Sequence, residues 1–233
     1  MKGSLRRLAP AKINLSRKVL GRREDGFHEI ETRMAPISLA DQLDFQPMDA
    51  GGIQFTCDQP DLPTDGSNLV VRAAEALAAH AKNPLHVSIH LKKLVPHGAG
   101  LGGGSSDAAT TLLALNELFE LGLEVEVLSQ LAAEFGSDIP FFLFESVCDC
   151  GGRGETVTPV EFPHQLPILL LKPAFGVNTP EAYKAWIGSV ELPSVDYGPQ
   201  RFDWGTLENS LERPVFEKHL VLADMKMWLR NQH

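Results

Sequence analysis

Positive charge, cysteine and long apolar runs are all scarce in this chain. Lysine and arginine number 21 against 30 aspartates and glutamates, leaving a net charge of −9 over 233 residues. So acidic a chain has no broad nucleic-acid footprint, and any anion it binds must be met by locally gathered donors. Three cysteines are too few for a disulfide framework and fit a reducing, cytoplasmic setting. Cys148-Asp-Cys150 lacks the two-residue gap of a zinc-binding pair and reads as two thiols on a strand. No apolar stretch approaches the ~18 residues needed to cross a bilayer. Lys2, Arg6 and Arg7 precede no apolar run, so no signal peptide is expected. The 43% of hydrophobic residues is ordinary for a globular protein with one large or two small cores.

Glycine, by contrast, is concentrated. Pro96-His-Gly-Ala-Gly-Leu-Gly-Gly-Gly-Ser-Ser-Asp107 carries Gly98, Gly100, Gly102, Gly103 and Gly104, interleaved with Ala99 and Leu101. Behind it Ala108, Ala109, Leu112, Leu113, Leu115, Leu118 and Phe119 recur at helical spacing, predicting a helix over 105–121 capped by Ser105 and Ser106. A glycine loop entering a helix suits phosphate, because backbone N–H groups converge, no Cβ intrudes and the helix dipole favours an anion. No Gly-Lys-Ser/Thr closes the run as in the Walker loop, and no acidic residue follows in a dinucleotide-binding context. Lys92 and Lys93, just before the loop, offer local positive charge.

The rest of the chain reads as mixed strands and helices in runs, an α+β pattern. Strands are expected over 5–9, 13–20, 27–37, 42–46, 86–92, 141–144 and 156–160, with a buried one over 168–171. Asn68 opens a helix to about 81, another spans about 125–136, and Thr179 is expected to cap a third carrying Ala182, Tyr183 and Trp186. A loop over 188–205 and short helices over 206–230 complete it. Gly151 to Gly154, Pro159 and Pro163 cluster near a boundary, dividing the chain into 1–155 and 156–233.

Three smaller patterns carry chemistry. Lys12 and Asn14 lie two apart in an extended segment and so share a face. Asp25-Gly26 is a hairpin signal, and Phe27-His28 after it pairs an aromatic face with a ring that donates and accepts, suited to a flat heterocycle. Asp138, in Gly136-Ser-Asp-Ile-Pro140, is either a turn aspartate or a base held in a cleft.

In this order, Lys12-Ile-Asn14, Asp25-Gly-Phe-His28, Pro96 to Ala109, Gly136 to Pro140 and Pro173-Ala-Phe-Gly-Val-Asn-Thr179 resemble the GHMP kinase superfamily over about residues 8–230. The stretches GRREDGFHEIET and GVNTPEAY resemble its cytidyl branch, which acts on cytidine-diphosphate methylerythritol for isoprenoid synthesis. The resemblance implies a two-domain fold, with an N-terminal domain like domain 2 of ribosomal protein S5 and a ferredoxin-like C-terminal domain. It implies ATP and Mg²⁺ as cofactors and a small-molecule alcohol as phosphoryl acceptor. Asp138 would be the catalytic base and Lys12 its partner. Pro96, Gly98, Ala99, Gly100, Leu101, Gly102, Gly103, Gly104, Ser105 and Ser106, with Lys93 and Asn68, would bind ATP. Asn14, Phe27, His28, Thr179 and Tyr183 would bind substrate, Phe27 and Tyr183 sandwiching cytosine. No residue is assigned to a metal. Three departures stand out: Phe27 in a usual tyrosine position, the polar Ser16-Arg17-Lys18 where apolar alternation is usual, and a third glycine-rich motif not found before His233, so an incomplete C-terminal domain is expected. Another kinase of the superfamily, for mevalonate-like, homoserine or sugar substrates, or a silent binding protein of the same fold, are the alternatives.

Overall fold

Two long strands form the spine. In this computed structural model residues 3–232 are described, and Met1, Lys2 and His233 lie outside them. Strands β1 (Leu5–Arg22) and β2 (His28–Pro47) pair antiparallel along most of their length, joined by the expected Asp25-Gly26 turn with Gly26 at φ +86°. The sequence pattern divides each strand in two. The structure instead absorbs the irregularities as register shifts between Pro10 and Lys12, Asn14 and Ser16, and Val19 and Gly21. A proline has no N–H to give the ladder, and a bulge lets the strand continue past it.

β4 (Val87–Lys92) pairs antiparallel with the far end of β2, and β3 (Ile53–Cys57), missed in the sequence, runs parallel to β4. β5 (Cys148–Gly151) adds to the other half of β2 and carries β6 (Thr156–Pro159). Helices α1 (Leu69–Ala78), α2 (Gly103–Leu118) and α3 (Val125–Ala133) enclose the main core with this sheet. Ala108, Ala109, Leu112, Ala114 and Leu115 of α2 are fully buried, and the alanines allow the helix to lie close to its neighbours. The fully buried Phe45, Ile89 and Leu91 stand on the sheet side of that core.

The later elements are α5 (Thr179–Ala185), β7 (Gln200–Phe202), β8 (Gly205–Asn209), α6 (Glu212–Lys218) and α7 (Leu220–Arg230). β8 runs parallel to β1, Ser16 opposite Glu208 and Arg17 opposite Asn209. Val19, Ile30 and Leu211 form a small second cluster, with Tyr183 and Trp186 packed against it.

Several expected elements are corrected. Residues 141–144 were expected as a strand, but Ile139–Phe142 is a one-turn helix, α4, with Pro140 in its first turn, where a missing N–H costs nothing. Ile168 to Leu171 forms no strand and is 39–78% exposed, because no neighbouring strand offers it a ladder. The segment 206–209, expected as helix, lies in β8. The cap of α5 is Asn178, whose side chain accepts from the Glu181 N–H at 3.1 Å, and Thr179 is the first helical residue. Among the described residues no helix is long and apolar enough to cross a membrane.

Candidate active site

The glycine run alternates its backbone conformation. Gly98, Gly100 and Gly102 are left-handed, at φ +67°, +73° and +71°, and the residues between them are not. Such alternation turns successive N–H groups toward one concavity, a nest for anions. The nest leads directly into α2, whose cap is Gly102; Ser105 and Ser106, expected as caps, lie inside the first turns. Gly103 and Gly104 are corrected with them. Both were expected in the loop, ahead of a helix starting at 105, and both are the first residues of α2. The left-handed Gly102 ends the alternation, and the N–H groups of Gly103 and Gly104 belong to the first turn, which has no helical acceptors for them. Gly104 therefore belongs to a helix N-terminus, a position that favours anions, and not to the nest. It also lacks the tight surroundings of its neighbours, since a Cβ there would meet only Leu69 Cδ1, at an ordinary 3.7 Å.

A Cβ on Gly98 or Gly100 would meet nothing within 4 Å, so this side of the loop is open. Pro96 is exposed at its start. Gly176, in the Pro173 to Thr179 stretch, comes close enough that its Cβ would lie 3.3 Å from the Gly98 carbonyl oxygen.

Lys12 is tied to this loop through its backbone. Its N–H donates to the Leu101 carbonyl at 2.8 Å. Its side chain is 3% exposed and ends beside Asp138, Nζ to Oδ2 3.7 Å. Nζ also donates to Asn14 Oδ1 at 2.8 Å, Asn14 Nδ2 donates to Thr32 Oγ1 at 2.8 Å, and the Thr32 hydroxyl donates to the Ser16 carbonyl at 2.6 Å. The expected shared face of Lys12 and Asn14 is therefore real, and the Asn14 amide aims the ammonium. Burial pushes the Lys12 pKa down to about 8, the Asp138 carboxylate opposing and the Arg17 guanidinium adding to the fall. Asp138 is the N-cap residue of α4, but its side chain makes no capping hydrogen bond. Gly154, at φ +117°, brings the 151–154 loop so close that its Cβ would lie 3.4 Å from Asp138 Oδ1. Nearby Cys150 is buried, and its thiol is pushed up to about 12, chiefly by burial.

Asp138 opens into a cleft of about 520 Å³, within the size range of small-molecule sites. Phe27, His28, Thr179 and Tyr183 line it, together with Arg17, Arg153 and Ser105. The His28 and Tyr183 rings stack at 5.2 Å, and Trp186 meets His28 edge-on at 6.2 Å. The Arg153 guanidinium lies over the half-exposed Phe27 ring at 4.8 Å. Burial raises the Tyr183 phenol above its ordinary value. The sequence reading missed Arg17 and Arg153. Arg153 was visible only as part of a glycine cluster, and its contact with Phe27 needs the fold.

Two residues expected at the nucleotide are otherwise engaged. Lys93 Nζ pairs with Asp41 and, at 2.8 Å, with Asp107, all three nearly buried. Its ammonium thus neutralises carboxylates beneath the loop, where a Cβ on Gly103 would lie 3.1 Å from it, and adds no free positive charge. Asp41 Oδ1 accepts from the Leu94 and Val95 N–H groups at 2.6 and 2.8 Å, pinning the approach to the loop. Burial pushes the Asp107 carboxyl up to about 7 despite Lys93. Asn68 caps α1, accepting from Val70 N–H at 2.9 Å and donating to the Pro63 carbonyl at 2.8 Å. Both ends of its amide are engaged there.

Known proteins resemble this chain in sequence and in fold. Residues 68–146 match the N-terminal domain of the GHMP kinases. The 4-diphosphocytidyl-2-C-methyl-D-erythritol kinase of Methylacidiphilum infernorum is 41% identical over 96% of this chain and 78% of its own length. That of Protochlamydia amoebophila is 46% identical over 78% of the chain, which spans 62% of that relative. A solved 4-(cytidine 5'-diphospho)-2C-methyl-D-erythritol kinase superposes with a TM-score of 0.78 at 37% identity, over 97% of this chain and 82% of the other. A homoserine kinase from Cytophaga hutchinsonii shares the fold, with a TM-score of 0.56 at 20% identity. With glycine nest, lysine–aspartate pair and aromatic cleft in place, and with identity of this extent, the chain belongs to the 4-diphosphocytidyl-2-C-methyl-D-erythritol kinase family of GHMP kinases.

Proposed function

We propose that this chain transfers the terminal phosphoryl group of ATP to a hydroxyl of 4-diphosphocytidyl-2-C-methyl-D-erythritol, in isoprenoid precursor synthesis. The observation that carries this reading is the Lys12–Asp138 pair, fastened to the glycine nest on one side and opening into the aromatic cleft on the other. In it the nest, Gly98 to Gly102, and the first turn of α2, Gly103 to Ser105, hold the triphosphate by backbone N–H groups, whereas the buried Ser106, expected with them, gives its N–H to the Gly102 carbonyl at 2.8 Å. Mg²⁺ would be held by the phosphate oxygens and neutralise charge on the transferring group. Asp138 accepts the acceptor's hydroxyl proton as its oxygen attacks the terminal phosphorus. The Lys12 ammonium, aimed by Asn14, stabilises charge growing on the transferring group. Cytosine lies between Phe27 and Tyr183 with its edge toward His28, displacing Arg153 from Phe27 or His28 from Tyr183. Thr179 lines the same cleft. Lys93 and Asn68 act on the nucleotide site only by holding the loop and α1.

The test is transfer of labelled phosphate from ATP to cytidine-diphosphate methylerythritol, with mevalonate, homoserine and galactose as control acceptors. Transfer to the cytidyl acceptor alone is expected. Equal transfer to a control would replace the reading with that of another GHMP kinase, and no transfer to any would leave a binding protein.

The same assay has an expected pH dependence. The Lys12 ammonium persists below its pKa of about 8 and is lost above it. The value of kcat/KM should therefore fall as pH rises through about 8, well below the ~10.4 of an ordinary lysine. A plateau reaching pH 10 would show that the charged form is not needed.

A further inference from the structure

Of the three polar residues that interrupt the usual apolar alternation of β1, Ser16, Arg17 and Lys18, only Arg17 lines the aromatic cleft. Simple alternation puts Arg17 on the face opposite Lys12 and Asn14. The register shift between Asn14 and Ser16 reverses this. Lys12 lies opposite Pro36, Asn14 opposite Met34 and Arg17 opposite Thr32. Those partners alternate along β2, so Lys12, Asn14 and Arg17 share one face. Ser16 and Lys18 line a different cavity on the other face, while Arg17 lines the cleft of Phe27, His28, Tyr183 and Asp138. Among the described residues Arg17 has no ion pair, and its Nε is buried without a hydrogen-bond partner. Its charge is nonetheless felt by both Lys12 and Tyr183, at the two ends of the site. A guanidinium left unpaired in such a place costs desolvation free energy that an anion would recover.

We propose that Arg17 binds the bridging diphosphate of the nucleoside-diphosphate acceptor, between the aromatic residues that take the base and the Lys12–Asp138 pair that takes the hydroxyl. This rests on the acceptor reading above. The phosphates of ATP share the same chemistry, but no residue of the nest lines this cleft, and of the first turn of α2 only Ser105 does. The guanidinium fork suits two phosphate oxygens at once, which a lysine ammonium does not reproduce.

The test measures binding of cytidine and of cytidine diphosphate, by calorimetry, to the wild-type chain, R17L and R17K, with KM for ATP recorded alongside. Wild type should prefer the diphosphate, and R17L should lose at least about tenfold in that preference while binding cytidine and ATP as before. R17K should recover part of it. Should R17L fail to fold, R17Q, which keeps a polar side chain, should show the same loss. An unchanged preference for the diphosphate in a folded variant would overturn the proposal. A raised KM for ATP with unchanged diphosphate binding would overturn it too, assigning Arg17 to ATP. If wild type bound neither cytidine compound, the acceptor reading itself would fall and take this proposal with it.

Discussion

Asp138→Asn should lower kcat at least about a hundredfold while binding of both substrates changes little, the usual consequence of removing a general base. The change is nearly isosteric, and the Asp138 side chain makes no capping hydrogen bond to α4, so the fold has little reason to respond. Two losses arrive together. The hydroxyl proton loses its acceptor, and Lys12, 3% exposed, loses the carboxylate that raises its pKa against burial. Its ammonium form then becomes scarcer at neutral pH. For that reason Lys12→Met should cost a similar factor, and the double variant should be little worse than either alone, as groups that act as one unit are not additive. Single-turnover measurement of phosphoryl transfer checks this. Near-normal kcat in Asp138→Asn would remove the base from the mechanism and leave a kinase that works by positioning phosphate alone.

The second large effect is on stability. Gly102→Ala should destabilise the chain by about 2–5 kcal/mol, the sum of a left-handed non-glycine residue and an overpacked contact. Gly102 sits at φ +71°, and its Cβ would lie 2.8 Å from Phe142 Cζ and 3.1 Å from Lys12 Cγ. Relief would require Phe142 or the Lys12 stem to move, so residual activity should fall as well. Gly100→Ala is the internal comparison, because φ is +73° but nothing lies within 4 Å of the added Cβ. It should cost only the strain, about 1–2 kcal/mol. Urea unfolding of both variants decides the matter. Equal midpoints would mean that the contact at Gly102 relaxes freely.

Much of this site was legible in the sequence because its chemistry is local. The glycine run, Asp25-Gly26 and the side-chain cap Asn68 each declare themselves within a few residues, and each lies where expected. The division of the glycine run was less legible. Nothing in Gly102-Gly-Gly104 marks which glycine turns left-handed and which two open the helix, because all three tolerate either conformation. Other misses depend on partners distant in the chain. Phe141 to Phe144 is too short an apolar run to distinguish strand from helix by period, and Pro140 with the core behind it decides for helix. Ile168 to Leu171 has a strand's composition but no partner strand. Lys93 reads as positive charge for an anion until the fold brings up Asp41, 52 positions away, to claim it. Arg17 reads as facing away from Lys12 because a bulge at Leu15, set by pairing with β2, has no signature of its own.

The continuity of β1 has a further consequence. One uninterrupted strand holds Lys12 at one end of the site and Arg17 farther along the same face. At ~3.3 Å per residue the two are fixed roughly 15 Å apart along the backbone. On the proposed reading the strand is a gauge as well as a scaffold. A short alcohol can reach the phosphoryl group but leaves the far anchor empty, whereas a long ester of the right span fills both. Molecular length then becomes a filter, built into a backbone that no side-chain substitution can shorten.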